Sequence, residues 1–115
     1  MQMFIHVTTH EDTIAPILSR MMEEGFQGAT VFDCEGMLST LNQDSVDAPE
    51  IFGSLRKFVN PDRQKNKMIM LVLNDERIQD AVDIIHEVCG SLNAPNTGIM
   101  VTIPITRWEG IDPIK

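Results

Sequence analysis

The chain has 115 residues, of which 43% are hydrophobic and 23% charged, with a formal net charge of -8; this is the profile of one globular domain large enough to bury a core. Its pI near 4.6 and the lack of any Lys/Arg cluster interleaved with aromatics exclude a phosphate-backbone footprint, so no nucleic-acid partner is expected. The opening Met1-Gln2-Met3-Phe4-Ile5-His6 has no basic region or long apolar run, and no later segment approaches a membrane span, so we expect a cytoplasmic protein without membrane insertion.

Met3, Ile5 and Val7 alternate with Phe4, His6 and Thr8, the period of a strand with apolar residues on both sides near its middle. Thr9 to Asp12 supply helix caps. Ile14, Ile17, Leu18, Met21 and Met22 then follow helical spacing with one buried face, Pro16 falls in the first turn, and Gly25 stands where a left-handed C-terminal residue belongs. Ala29 to Cys34 read as the second strand, ended by Gly36.

Residues 37–66 show little periodicity and read as a long loop, a length that is usually functional in compact domains. Within it Ile51, Phe52, Leu55 and Phe58 fit a short amphipathic helix over Pro49 to Phe58, and Arg63, Lys65 and Lys67 form a basic patch. Met68-Ile69-Met70-Leu71-Val72-Leu73 is apolar at every position, so both faces of this third strand call for burial. Two helices on a four-stranded sheet cover only one face, and the other requires a partner chain. From Asp75 to Gly90 a second amphipathic helix carries Ile78, Ala81, Val82, Ile85, Val88 and Cys89 on its stripe, with Asn74 or Asp75 as cap. A last strand follows at Thr97-Gly98-Ile99-Met100-Val101-Thr102-Ile103-Pro104. The shortest legal topology is an α+β, ferredoxin-like βαββαβ sandwich. It has a four-stranded antiparallel sheet in order 4-1-3-2, two helices on one face and the long loop between strands 2 and 3, as a single domain over 1–115.

Little in the chain points to catalysis. His6, His10 and His86 lack the spacing of a metal motif, Cys34 and Cys89 are far apart and read as buried thiols, and the eight Met residues read as core filler. The adjacent carboxylates Glu11 with Asp12 and Glu23 with Glu24 diverge on regular elements, and no nucleophile elbow surrounds Ser39, Ser45 or Ser54. A non-enzymatic protein with no cofactor and no metal is expected. The turns at Gly36 and Gly98 weigh more: each sets flexible backbone beside a strand end, where N–H groups bind anions or protomers approach closely.

Gly25-Phe26-Gln27-Gly28-Ala29-Thr30-Val31 with Gly36, and Thr97-Gly98-Ile99-Met100-Val101, together resemble the PII nitrogen-regulatory signalling family of trimeric ferredoxin-like sensors. The resemblance implies that 37–66 corresponds to the T-loop and 93–98 to the B-loop over nucleotide phosphates. Departures accompany it. Ile99 stands where the phosphate-binding lysine of a Gly-Asp-Gly-Lys run would fall, and the chain stops soon after Arg107-Trp108-Glu109-Gly110 without an arginine-rich segment. One lost charge-assisted contact of roughly 1.5 to 3 kcal/mol weakens binding by about tenfold to a hundredfold. There is no tyrosine to uridylylate. The related copper-tolerance trimers share the fold, but His and Cys ligands are scarce here.

The resemblance thus implies a divergent PII-like signalling protein: a homotrimer that takes a small anionic or nucleotide-like effector in clefts between protomers and signals to a partner protein through the long loop. The cleft residues are Gly36, Met37, Asn96, Thr97 and Gly98, with positive charge from Arg56, Arg63, Lys65 and Lys67. Two alternatives stand beside it. One is a ligand-free interaction module in which Phe52, Leu55 and Phe58 dock a partner; the other is a metal-binding trimer using His6, His10 or Cys34.

Overall fold

The computed structural model describes residues 1–37, 66–93 and 97–111. Strand β1 (Gln2–Thr8) is followed by a 3-10 turn at Glu11–Thr13 and helix α1 (Ile14–Glu23), which leads to β2 (Thr30–Cys34). The second half repeats the plan with β3 (Asn66–Leu73), a 3-10 turn at Asp75–Arg77, helix α2 (Ile78–Cys89) and β4 (Ile99–Pro104). The sheet order is β2-β3-β1-β4, and every neighbouring pair is antiparallel. This is the expected ferredoxin-like order read from the other edge. The short helix expected over Pro49 to Phe58 lies outside the described residues.

Each helix starts as a 3-10 turn. Thr13 and Arg77 donate their backbone N–H groups to the His10 and Asn74 carbonyls at 3.1 and 2.9 Å, so main-chain bonds close these entrances where side-chain caps were expected. The end of α1 is a paired-bond cap: Phe26 N–H reaches Met21 O at 2.8 Å, Gly25 N–H reaches Met22 O at 3.1 Å, and Gly25 has φ +85°. That left-handed residue is inexpensive only for glycine. The reversal drops Phe26 into the core beside Met21. Arg77 from the second half lies 4.2 Å over the Phe26 ring and donates to Glu24 O at 2.5 Å. One guanidinium thereby stitches the α1–β2 turn to the start of α2.

The core lies between the helices and one face of the sheet. Phe4, Ile69, Leu71 and Leu73 from the strands meet Ile17, Met21, Ala81, Ile84 and Ile85 from the helices. Ile84 is a core residue outside the expected stripe. On the outer side of the helices Arg20 binds Glu87 at 2.5 Å and Glu23 at 2.7 Å, joining α1 to α2. Cys34 and Cys89, expected to be buried, are free thiols of intermediate exposure. No helix among the described residues is long and apolar enough to cross a membrane.

Candidate functional site

Antiparallel pairing brings the end of β1, the end of β2, the start of β3 and the start of β4 to one end of the sheet. Gly36, Thr8, Asn66 and Gly98 therefore share that end. Gly98 is the most constrained of them. It has φ +103°, and a Cβ built there would stand 2.4 Å from Val7 O and 3.3 Å from Thr8 Cα. Only a residue without a side chain lets the turn into β4 lie this close to β1. Gly36 differs: it is not among the positive-φ glycines, and a Cβ there would meet Asn66 Nδ2 at 3.2 Å.

Polar bonds frame the same end. The buried Thr8 hydroxyl accepts the His10 N–H at 3.0 Å, and Thr13 Oγ1 donates to His10 O at 2.7 Å. His6 is fully buried, and its Nδ1–H donates to Ile99 O at 3.0 Å. Lys67 lies on β3 opposite Asp33, pairs with that carboxylate and stands 4.0 Å from Glu11. Its ammonium is raised above the usual lysine value chiefly by the Asp33 hydrogen bond. A sequence reading that counts Lys67 as loop charge misses that its charge is shared with two acids.

Between the end of α2 and β4 runs a groove of about 790 Å³, bordered by His86, Ser91, Asn93, Gly98, Ile99 and Met100. The Ser91 hydroxyl accepts the Asn93 N–H at 3.2 Å. His86 and Ser91 were not among the expected site residues, and Asn93 was expected only as the first residue of the segment matched to the B-loop. Gly90, which ends α2 with φ +76°, was the available signal, since it marks where the chain leaves the helix.

Of the expected cleft residues, Gly36, the 72% exposed Met37, Thr97 and Gly98 are placed at this end of the sheet, whereas Asn96, Arg56, Arg63 and Lys65 fall outside the described residues. Phe52, Leu55 and Phe58 do so as well. Gly36 and Gly98 are not brought together within one chain. They follow and precede the two edge strands, three strand spacings apart, or about 14 Å. Cys34 shares a face with Phe32 and Met68 while His6 lies buried on the opposite, helix-covered face, so the two do not meet within one chain. No group of three or more His, Cys, Asp or Glu among the described residues could hold a metal ion.

The sheet's other face is apolar across all four strands. The register sets Phe32, Met68, Val7 and Ile99 in one row, Met70, Ile5 and Val101 in the next with Thr30 at its edge, and Val72, Met3 and Ile103 in the third. No described helix packs on it, and at its edge Gly110 and Ile111 border a pocket with Met70 and Val72. Phe32, Ile99, Val101 and Ile103 remain 38%, 58%, 43% and 46% exposed. A contiguous apolar patch of this kind marks an interaction surface.

Neither a family model nor a curated protein sequence matches the chain. Among solved structures, the Arabidopsis thaliana PII protein bound to citrate is similar over 90% of this chain and 76% of its own, with a TM-score of 0.59 and 14% sequence identity. What this chain shares with that PII protein is the α+β fold, with its four-stranded sheet and two helices.

Proposed function

We propose that the protein is a non-enzymatic, PII-like signalling protein that assembles as a homotrimer and binds a small anionic or nucleotide-like effector in clefts between protomers. The observation that carries this reading is the uncovered apolar face, together with the glycine ends at opposite edges of the same sheet end. Burying the face against further copies takes the exposed Phe32, Ile99, Val101 and Ile103 out of water. It also lets the β2 end of one copy, with Gly36 and Met37, approach the β4 start of the next, with Thr97 and Gly98. A ligand touching two chains biases the assembly and the segment 37–66 through differential affinity, and that segment is the reporter to a partner protein.

The groove beside Gly98 carries polar groups from His86, Ser91 and Asn93 among the apolar Leu92, Ile99, Met100 and Val101, and no lysine or arginine among its described lining. Such a lining suits hydrogen bonding to a small polar effector more than clamping a triphosphate, in keeping with Ile99 at the position of the phosphate-binding lysine. The comparison protein binds citrate, so citrate belongs in the test panel with ATP, ADP, AMP, cyclic nucleotides, 2-oxoglutarate and bicarbonate. Light scattering on the purified chain gives the mass, and thermal shift followed by calorimetry gives the ligand. Three chains per particle and one saturable ligand support the reading. A stable monomer refutes the interfacial cleft. A trimer that answers to no compound moves the function to the interaction module.

A further inference from the structure

The helix-covered face of β1 holds a buried ionisable ring. His6 is 0% exposed, and among the described residues its Nε2 is the one buried side-chain nitrogen or oxygen without a hydrogen-bond partner. The other ring nitrogen is committed, because a carbonyl can only accept: Nδ1 carries the proton and donates to Ile99 O. The neutral Nδ1–H tautomer therefore fits, with a bare Nε2 lone pair facing hydrocarbon. A charged ring would carry a second N–H into that hydrocarbon with nothing to receive it.

The surroundings offer no compensation. On the sheet His6 is flanked by Ile69 of β3 and Met100 of β4, with Phe4 and Thr8 on its own face of β1. From the helices the core presents Ile17, Met21, Ala81, Ile84 and Ile85. Of the titratable groups on these elements only Cys89 packs against the core, and burial pushes its thiol up, toward the neutral form. Arg20, Glu23, Asp80, Asp83, His86, Glu87 and Lys67 all lie outside the core. Burial accordingly pushes His6 below its ordinary value of 6.5, and the Ile99 carbonyl only partly offsets this.

We propose that His6 is a protonation-controlled latch: neutral, it ties the first residue of the edge strand β4 to the central strand β1, and charged, it favours a state in which the start of β4 and the Gly98 turn have moved away. The topology supports β4 as the strand that gives way. β1 is paired on both sides, whereas β4 is held on one side only, so moving β4 breaks fewer strand bonds than moving β1. The same movement would displace Gly98 from its contact with Val7 O and alter the wall of the groove. The latch needs no ligand and goes beyond the function proposed above.

The sign is fixed by linkage. A histidine with a lowered folded-state pKa leaves stability intact above its unfolded value and removes it as pH falls from that value towards the folded one. Amide exchange by NMR, corrected for intrinsic rates, is to be followed from pH 7.5 to 5 in the wild type and in His6→Asn. The Asn side-chain N–H can take the place of Nδ1–H but cannot be protonated. Protection at Ile99 to Val101 is expected to fall at least threefold in the wild type and to stay level in His6→Asn, while His10→Gln and His86→Gln behave as wild type. Level protection in the wild type overturns the latch, and so does a slope that survives in His6→Asn or vanishes in either control. If His6→Asn fails to fold, His6→Phe fills the volume without titrating, and the same outcomes decide. Imidazole nitrogen shifts supply an independent reading: a proton on Nε2 rather than Nδ1 at neutral pH overturns it.

Discussion

Val101→Asp separates folding from assembly. Val101 lies in the middle row of the uncovered face, paired with Ile5 and level with Met70, and is 43% exposed in the single chain. Fully burying such an apolar side chain contributes about 1.5 to 3 kcal/mol. Phe32, Ile99, Val101 and Ile103 are already roughly half covered, so covering the rest contributes about 3 to 6 kcal/mol per protomer on the same scale, as an upper figure. An unpaired carboxylate in the middle row of the covered face costs several kcal/mol, enough to offset most of that gain. In the separated chain the same carboxylate sits on an edge strand with access to water, so the fold survives. Multi-angle light scattering at micromolar concentration, with circular dichroism as the fold check, should show a particle of three chains for the wild type and one chain of 12.9 kDa for the variant. The reasoning fails if Val101→Asp keeps the wild-type mass, or if the wild type is itself a folded monomer.

The remaining predictions concern single groups. Gly98→Ala must force φ +103° on a residue with a side chain and drive its Cβ to 2.4 Å from Val7 O; positive φ alone costs about 1 to 3 kcal/mol, so urea denaturation should show a loss of at least that size, and a change within experimental error would contradict the close approach. Arg77→Ala removes the ring contact with Phe26 and the bond to Glu24 O, a loss of about 1 to 2 kcal/mol; Arg77→Lys should recover only part of it, because an ammonium lacks the planar stacking surface. The Cys34 thiol is pushed up first by burial and then by the Asp33 charge. It lies on the uncovered face, so alkylation should be slow in the wild type and faster in Val101→Asp, with Cys89 as the internal control. Equal Cys34 rates in the two proteins would place the interface elsewhere.

Much of the architecture is legible in the sequence because periodicity is local. The alternation around Ile5, the helical stripes through Ile17 and Ile85, and the unbroken apolar run of β3 each specify an element, and short connections with right-handed crossovers leave few topologies. Gly25 identified the end of α1 because a left-handed residue there has few alternatives. Less legible is whatever depends on register between distant segments. Lys67 meets Asp33 because β2 pairs with β3, a relation between residues 34 positions apart. Ile84 is buried because the two helices pack side by side on the sheet, which makes the buried surface of α2 wider than a single stripe. The groove next to Gly98 depends on how the turn after α2 lies over β4, and nothing in the spacing of His86, Ser91 and Asn93 encodes that.

Strand β1 shows why the unused surface bears on function. Its two faces are Phe4, His6 and Thr8 against Met3, Ile5 and Val7, and hydrophobicity alone would put the second set under the helices. The fold does the reverse: Phe4, His6 and Thr8 are the buried set, while Met3, Ile5 and Val7 look out through the uncovered face. A strand that faced water on that side would have no reason to carry three apolar residues there, and β4 repeats the pattern with Ile99, Val101 and Ile103 outward. The buried face carries two polar residues that each make one hydrogen bond, Thr8 accepting from His10 and His6 Nδ1 donating to Ile99, while His6 Nε2 makes none. The more hydrophobic face is thus the one that no described helix packs against. Substituting Ile5→Lys should therefore weaken assembly as strongly as Val101→Asp, because the two side chains lie opposite each other in register. A single-chain fold that gains solubility while the wild type was already monomeric would show instead that this face serves a different partner.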